Sequence, residues 1–359
     1  MKEVIRYFDC FAGIGGFHCG AQEIISDRYE FSHVAYCEIE KNAQKVYEAT
    51  CVNGNVQKIN DVQKIRTYKN PDGVHVVEFD MLFAGFPCQS FSNVGYRKGF
   101  DDPRGQLFFY ILDILDYYRP KYFVLENVQK IHTIKGGNLL AEMKKALQEI
   151  GDGYQLHTWD LLASDYGLPQ KRNRIFFCGI RQDIAQHKNI PAPPVIDLST
   201  AKYPTTWHLL EKCPVDPRHY IPAGSRKTIL AKPHNWQGDV NIDNPIARPL
   251  TATMAKWHRA NQDNYFSETY IKSTTPYIRP VVNMETEPIR RITPLEGYRI
   301  QGFPDYYAKT AEQLGISYSA QYKLIGNALP VDLAKAVIKH FLDSYLVSNT
   351  EMEVIRSGN

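Results

Sequence analysis

Short apolar runs alternate with helical patterns in the first half of the chain, up to about residue 180. Such alternation is typical of βαβ units, in which crossover helices bring parallel strands side by side. We therefore expect an α/β fold built on a doubly wound, mostly parallel sheet. The predicted strands are EVIRYFDCF, FSHVAYCEIE, VVEFDMLFAGF, PKYFVLENV, YQLHTWDLL and RIFFCGI, and helices are predicted from about residue 17, near 41–50 and near 106–118.

A glycine-rich stretch, FAGIGGFHCG, follows the first predicted strand. Its glycines allow a tight turn and a close backbone approach at a helix N-terminus, an arrangement that binds nucleotides. A tight connection without a ligand would have the same sequence. The next strand ends in Glu38, where a carboxylate can accept hydrogen bonds from both hydroxyls of a ribose. Asp80, near the end of the third predicted strand, is a candidate for an adenine amino group, although either acid also suits a helix cap.

A cysteine follows a proline in AGFPCQSFSNVG, directly after the apolar run VVEFDMLF. If this run is a buried strand of a parallel sheet, Cys88 lies just past its carboxyl end, where ligands bind in open α/β folds. A reactive thiol is one interpretation of that position. A small buried side chain at the edge of the core is the other, since free cysteine is usually buried and inert.

Composition is that of an ordinary globular protein of 359 residues, 43% of them hydrophobic, with a net charge of +3. The chain has no run of eighteen apolar residues and no signal-peptide layout, so we expect a cytoplasmic protein without membrane spans. Seven cysteines without a C-x-x-C pair predict reduced thiols and no zinc site or other metal centre. No G-x-x-x-x-G-K-[ST] motif is present, which disfavours a nucleoside triphosphate.

The segment between Asp183 and Arg290 differs in texture from the front half. It is rich in proline and histidine, has few long periodic runs and carries the chain's surplus of positive charge. Phosphate binding and a solvated, loop-rich surface both explain this composition.

Six motifs follow one another along the chain: DCFAGIGGF, AGFPCQSFS, VLENV, QKRNRIF, RRITPLEGYRIQGFPDYY and LIGNALPV. In this order they resemble the motif set of the cytosine-5 DNA methyltransferases, bacterial or phage modification enzymes among them. The resemblance covers residues 5–180 and 288–342, and GFDDPRGQLFFYIL is similar to the stretch after the family's mobile catalytic loop. It implies a Rossmann-like, S-adenosylmethionine-dependent methyltransferase fold with a smaller, loop-rich DNA recognition domain.

The resemblance also implies the cofactor, S-adenosylmethionine, and the product S-adenosylhomocysteine. Phe11 suits packing on the adenine, Glu38 suits the ribose and Asp80 the adenine edge. The residues that the resemblance and the strand ends place at the cofactor are Phe11, Ala12, Gly13, Ile14, Gly15, Gly16, Glu38, Ile39, Asp80, Met81, Gly85, Pro87, Leu107, Asn327 and Ala328.

Cytosine C5 is too weak a nucleophile to take a methyl group until another nucleophile has added at C6. A thiolate suits that step because it attacks readily and can leave again, and the resemblance gives the role to Cys88. Glu126 ends the apolar strand YFVL, where burial favours the protonated form that a general acid at N3 needs. A helix cap is the alternative for Glu126.

Two arginines alternate in QKRNRIF and are expected to share one face of a strand. The resemblance implies that Arg174 holds the O2 side of the cytosine and that Arg172 braces Glu126 and the catalytic loop. A charge pair on an edge strand is the alternative. The sequence does not indicate which group removes the C5 proton.

A cytosine within a duplex must be flipped out before its C6 can meet a thiol. We expect double-stranded DNA to contact the loop after Cys88 and the segment 183–286, which corresponds to the family's target recognition domain. Its expected core is ARPLTATMAKWHRANQ, which contains the kind of threonine-rich turn that is common at this point in the family, although RPLTAT differs from the family's usual sequence there. The candidate DNA contacts are Ser90, Ser92, Val94, Arg97, Arg248, Thr251, Thr253 and Lys256.

Two domains are expected, a discontinuous catalytic domain of residues 1–182 and 320–347 and a smaller domain of residues 183–319. The short front end is typical of a bacterial or phage modification enzyme that works as a monomer in the cytoplasm, associated with the nucleoid through DNA. A restriction endonuclease acting on the same site, without binding the chain, is an expected counterpart.

Three alternative functions were weighed. A transfer RNA cytosine-5 methyltransferase of the same family would use the same chemistry, but that branch usually carries a CFT tripeptide, which is absent here. An inactive nucleic-acid-binding relative would lack the cysteine or the glutamate, and both are present. A small-molecule methyltransferase would not need a hundred-residue insertion rich in basic and aromatic residues.

Overall fold

The computed structural model describes residues 2–87, 107–231 and 241–346. The chain forms two compact units: Met1–Leu161 with Asn173–Pro194 and Ala334–Asn359, and Leu162–Arg172 with Val195–Leu333. These bounds differ from the predicted ones, because residues 162–172 and 320–333 cluster with the second unit and residues 183–194 with the first. The amide of Lys171, for example, donates to Ala247 O at 2.8 Å.

A mostly parallel sheet forms the centre of the first unit. Its strands are β1 (Glu3–Cys10), β2 (Tyr29–Cys37), β3 (Gln57–Ile59), β4 (Met81–Gly85), β5 (Tyr122–Val128), β6 (Tyr154–Leu162) and β7 (Asn173–Arg181). Among the described residues their order is β3-β2-β1-β4-β5-β7-β6. The first five strands pair in parallel and β7 is antiparallel to β5. The predicted doubly wound α/β fold is confirmed.

Amphipathic helices cover this sheet. They are α1 (Gly16–Gln22), α2 (Lys41–Cys51), α3 (Leu107–Tyr118) and α4 (Asn138–Glu149). One apolar cluster joins Phe8, Leu82 and Phe123 of the strands to Ile111 of α3 and Met143 of α4, all nearly or fully buried. Neither α4 nor β3 was predicted, and three residues of strand are too few to show a period.

The second unit has short helices and a small sheet. Its elements are α5 (Ala223–Leu230), β8 (Tyr265–Ser267), α6 (Glu268–Lys272), β9 (Ile289–Arg291), α7 (Pro294–Ile300), α8 (Asp305–Gln313) and α9 (Tyr318–Asn327), with β8 and β9 antiparallel. Glu296 of α7 is completely buried and pairs with Arg290 at 2.6 Å, so the charge that α7 takes into this core is compensated.

The last helix, α10 (Val331–Tyr345), ends against the first unit's sheet. Arg28 Nη1 donates to the carbonyls of Asp343 and Leu346 at 3.1 Å each, which satisfies acceptors that a helix C-terminus leaves unpaired. None of the helices in the described ranges combines the length and apolarity that a membrane span requires.

Candidate active site

The carboxyl ends of five parallel strands meet at one edge of the first unit's sheet. In open α/β sheets ligands bind at this edge, where the strand order reverses. Here the reversal lies between β1 and β4, because β2 and β3 extend to one side of β1 and β5 lies on the far side of β4. The glycine turn follows β1, and Phe86 and Pro87 follow β4, so the two predicted motifs leave the sheet at its switch point.

The glycine turn between β1 and α1 has a left-handed backbone at several positions. Phe11, Gly13 and Gly15 have φ angles of 57°, 55° and 92°. A Cβ atom added to Gly15 would lie 2.5 Å from Cys51 Sγ, whereas one added to Gly13 would meet nothing within 4 Å. Glycine is therefore required at position 15 by packing and at position 13 by conformation, and the backbone at Gly13 borders open space.

Glu38, directly after β2, ties this turn to the neighbouring strand. Its Oε2 accepts from the amide of Gly13 at 2.8 Å, and its Oε1 accepts from the amides of Ile39 and Glu40 at 2.9 and 2.7 Å. Burial raises the pKa of Glu38, and these backbone donors only partly oppose the shift. A carboxylate has about four acceptor sites. The side chain can thus hold the turn and still accept a further hydroxyl.

Asp80 and Met81 lie at the amino end of β4, so the predicted position of Asp80 near the end of this strand is wrong. The apolar run contains only five strand residues, Met81–Gly85, and Asp80 precedes them. Its carboxylate accepts from the Arg6 amide at 3.1 Å and from Arg6 Nε at 2.8 Å. Burial acts to raise the pKa of Asp80, but the hydrogen bonds from Arg6 outweigh it and the net pKa is lowered. Asp80 is an ion-pair partner within the sheet.

Asn60 and Asp61, which the sequence analysis did not select, lie at the carboxyl edge directly after β3. Asn60 Oδ1 accepts from Gln44 Nε2 at 3.1 Å, and Asp61 Oδ1 accepts from the amide of Gln63 at 3.0 Å. The strand before them has three residues. In the sequence, the position of Asn60 and Asp61 was indicated only by the single buried residue Ile59 before them.

Glu126 and Arg174 form an ion pair beside the end of β4. Glu126 is paired in register with Gly85, and only 8% of the residue is exposed. Because β7 is antiparallel to β5, Arg174 at the start of β7 lies opposite Val128 at the end of β5. Arg174 Nε is 2.5 Å from Glu126 Oε1. A Cβ atom at Gly85 would lie 3.3 Å from Glu126 Oε2, so glycine leaves the carboxylate accessible along that strand.

Asn127, next to Glu126, fixes the chain that leads to Cys88. Its Nδ2 donates to the carbonyl of Phe86 at 3.1 Å and its Oδ1 accepts from the amide of Val128 at 2.8 Å. Pro87 is the last described residue before the loop and is exposed, and Leu107 begins α3. Cys88, Ser90, Ser92, Val94 and Arg97 lie outside the described residues.

Arg172 does not share a strand with Arg174, contrary to the prediction, because β7 begins at Asn173. Its guanidinium donates to three carbonyls of the second unit, Leu250 at 2.7 Å, Gly326 at 2.8 Å and Ala328 at 3.0 Å. These bonds tie residues 250 and 326–328 together. Its predicted action on Glu126 stays a prediction.

The arrangement at the carboxyl ends of the strands comprises the glycine turn, the Glu38 carboxylate that holds it and the buried Glu126–Arg174 pair. A family model described as C-5 cytosine-specific DNA methylase matches residues 5–343. The chain belongs to this family. The predicted resemblance and the predicted enzyme class, a DNA (cytosine-5-)-methyltransferase, are confirmed.

Relatives of this methyltransferase include bacterial enzymes of similar length. It is 32% identical over 343 residues to the Type II methyltransferase M1.ScrFI of Lactococcus lactis subsp. cremoris, which covers 94% of this chain and 78% of that one. It is also 32% identical over 347 residues to the Type II methyltransferase M.HaeII of Haemophilus aegyptius, and this match covers 96% of this chain and 94% of the relative. Among solved structures, the Entamoeba histolytica methyltransferase EhMeth matches with a TM-score of 0.72 at 19% sequence identity. The match covers 96% of this chain and 99% of that one, which shows that the two share a fold.

Six further predicted residues of the methyltransferase belong to the second unit: Arg248, Thr251, Thr253, Lys256, Asn327 and Ala328. Thr251, Thr253 and Lys256 are exposed, whereas burial lowers the pKa of Arg248. Asn327 is exposed at the end of α9, and the buried Ala328 offers its carbonyl to Arg172.

Proposed function

We propose that this chain transfers a methyl group from S-adenosylmethionine to C5 of a cytosine flipped out of a specific short sequence in double-stranded DNA. The observation that carries the proposal is the Glu126–Arg174 pair, buried at the carboxyl edge beside the strand that leads to Cys88. It is combined with membership of the C-5 cytosine-specific DNA methylase family.

The open backbone of the glycine turn and the acceptor oxygens of Glu38 suit S-adenosylmethionine. Gly13 leaves its backbone open to a ligand, and Glu38 retains acceptor capacity for a ribose hydroxyl after serving Gly13, Ile39 and Glu40. Asp61, at the end of the next strand, replaces Asp80 as the candidate for the adenine. When bound, the cofactor supplies an electrophilic methyl group carried on a sulfonium.

The chain's own residues prepare the cytosine. The Cys88 thiolate forms a bond to C6 and pushes an electron pair toward N3, where Glu126 donates a proton or hydrogen bond. Arg174 orients the Glu126 carboxyl group through its Nε and presents its remaining donors to the base. Asn127 holds the Phe86 carbonyl and so fixes the point from which the Cys88 loop departs.

The biological setting that we propose is a modification enzyme of the Type II kind. The names of its bacterial relatives support this, and a restriction endonuclease acting on the same DNA sequence would be its counterpart. We propose DNA rather than transfer RNA as the substrate, since the family model is one of DNA methylases.

A methylation assay with two substrates tests the proposal. Purified protein is incubated with labelled S-adenosylmethionine and either double-stranded DNA or unmodified transfer RNA, and the DNA is then sequenced after bisulfite conversion. We expect label in DNA only, with protected cytosines in one short recurring sequence. Label in transfer RNA alone would contradict the DNA assignment, and label in neither would contradict the enzyme proposal.

A further inference from the structure

A ten-residue stretch of the second unit, residues 250–259, is held by its own backbone carbonyls. We call it the recognition turn. Leu250 O accepts from Arg172 Nη1 at 2.7 Å and Ala255 O from Arg291 Nη1 at 2.9 Å. Thr253 O accepts from His258 Nε2 at 2.8 Å, and His258 O accepts from the hydroxyl of Tyr265 at 2.6 Å. Three of these four carbonyls accept from residues outside the turn, so contacts with the rest of the second unit hold its backbone.

Backbone packing adds a further restraint on the turn. A Cβ atom at Gly326 would lie 2.2 Å from the amide nitrogen of Ala252, so glycine is needed there for the two segments to approach. Met254 is 2% exposed and anchors the middle of the turn in the unit's core.

Trp257 occupies a strained conformation within the turn. Its φ and ψ are 57° and 61°, a left-handed region that is unfavourable for a bulky residue. The indole stacks on Tyr265 with ring centroids 6.3 Å apart and planes at 12°. Strain of this kind persists only where surrounding contacts impose it, and it concentrates at functional segments.

Arg291 of β9 packs its guanidinium over the Trp257 ring. The guanidinium carbon lies 4.0 Å from the Trp257 ring centroid and 5.1 Å from that of Tyr322, so the cation lies close to two aromatic rings. Its Nε is buried without a hydrogen-bond partner, and the described residues supply no ion pair to it. The cation is therefore held by aromatic rings and one carbonyl.

The side chains that the turn leaves exposed are polar or cationic. Thr251, Thr253, Lys256 and Arg259 are all exposed, while Met254 and Ala260 are buried. Two cations and two hydroxyls on one turn suit phosphate oxygens and base edges of a nucleic acid. The buried contacts hold the turn and the exposed ones are available to a ligand.

We propose that Trp257 and Arg291 are positioning residues that hold the recognition turn in a DNA-reading conformation and thereby determine sequence discrimination. The inference rests on the proposed function, since it assigns the turn to DNA. Neither residue touches the reacting atoms. Their loss changes how DNA is bound and discriminated and leaves the rate of the chemical step unchanged.

The test compares Trp257→Leu with Trp207→Leu. Trp207 is the matched control because Lys212 Nζ lies 3.4 Å from its ring centroid in the same unit, outside the turn. Trp257→Phe keeps a ring beneath Arg291 and serves as the conservative variant. Three quantities are measured: steady-state kcat and KM for DNA, the ratio of kcat/KM for the methylated sequence and for one-base variants of it, and hydrogen exchange at Met254 and Lys256. In the folded protein these two amides bond to Thr251 O and Thr253 O at 3.2 and 2.9 Å.

For Trp257→Leu we expect KM for DNA to rise about tenfold, kcat to stay within about twofold, and sequence discrimination and amide protection to fall. Trp207→Leu should preserve all of these, and Trp257→Phe should recover most of the loss. Unchanged KM and discrimination in a folded Trp257→Leu would overturn the inference. So would equal losses in Trp207→Leu, or a loss confined to kcat. If the wild-type protein methylates no DNA, the proposed function fails, while the exchange comparison still shows whether the aromatic contacts hold the turn.

Discussion

Arg174 Nε lies 2.5 Å from Oε1 of Glu126, and the two side chains are 13% and 11% exposed. The guanidinium nitrogen holds a carboxyl group that is almost buried beside the end of β4. A carboxyl group oriented in advance can stabilise charge that develops on a base at the same site.

Replacement of Glu126 by glutamine should remove most of the methylation rate. An amide cannot supply the proton that meets N3, so we expect a fall of about 10²- to 10⁴-fold in the single-turnover rate. Cofactor and DNA affinities, measured by titration, should stay within a few fold. Glu78→Gln is the control, because the Glu78 side chain is 83% exposed and pairs with Arg6. A near-normal rate in Glu126→Gln would make Glu126 structural.

Replacement of Arg174 by glutamine should destabilise the first unit. The change removes the guanidinium that pairs with the buried Glu126 carboxyl group, and breaking a buried pair of this kind costs about 3–5 kcal/mol in the free energy of unfolding. Arg181→Gln is the control, since Arg181 lies at the other end of β7 and pairs with the more exposed Asp183, so its loss should cost at most about 1 kcal/mol. Urea unfolding of both variants provides the comparison, and similar losses would show that burial of the Glu126 pair has no special cost.

Cofactor affinity should depend on Glu38 and on pH. Replacement by glutamine should weaken binding about 10- to 100-fold, since hydrogen bonds to a charged acceptor are lost. Burial raises the pKa of Glu38, so its carboxylate protonates at a higher pH than an ordinary glutamate. Calorimetric titration should therefore show wild-type affinity falling as the pH is lowered through the acidic range, and little such fall in Glu38→Gln. If the affinities of the wild type and of Glu38→Gln changed equally with pH, Glu38 would not be a cofactor ligand.

The stability of the second unit should depend on Asp263. This residue is 5% exposed, and burial raises its pKa to about 6. The pKa of an aspartate in the unfolded chain is about 3.9. Between this pH and about 6 the folded protein binds more protons at Asp263 than the unfolded chain does, so the free energy of unfolding falls as the pH rises. The decrease is up to about 3 kcal/mol. In Asp263→Asn the decrease should be smaller, as measured by denaturation from pH 4 to 7, and an unchanged decrease would assign it to other groups.

Duplex DNA with 5-fluorocytosine at the target position should become covalently bound to Cys88 when S-adenosylmethionine is supplied. After addition at C6 and methylation at C5, release requires the C5 substituent to leave as a cation, which a proton can do and fluorine cannot. Cys88→Ser should form no adduct, because a hydroxyl is far less nucleophilic than a thiolate. Cys213→Ser, at an exposed cysteine, should form it normally. Peptide mapping that placed the adduct on another cysteine would refute the assignment.

Local patterns in the sequence predicted the elements that carry the cofactor turn and Glu126. The bounds of β6 agree with YQLHTWDLL, and α2 agrees with its predicted span to within one residue. Glycines at a strand-to-helix junction and a carboxylate after an apolar run depend on neighbouring residues alone. Such features are readable without knowledge of the fold.

Tertiary structure alone decided which strand ends share an edge and which side chains meet there. The apolar run before Cys88 does not show where its strand begins, so Asp80 was assigned to the carboxyl end of β4 although it precedes the strand. Strand β3 was too short to predict, so the position of Asn60 and Asp61 at its carboxyl end was missed. The direction of β7, which brings Arg174 to Glu126, follows from pairing between segments distant in sequence. The contact between Trp257 and Arg291 likewise joins residues 34 positions apart along the chain. Periodicity reports which residues are buried, but strand order, strand direction and long-range contacts are set by the packing of the whole chain.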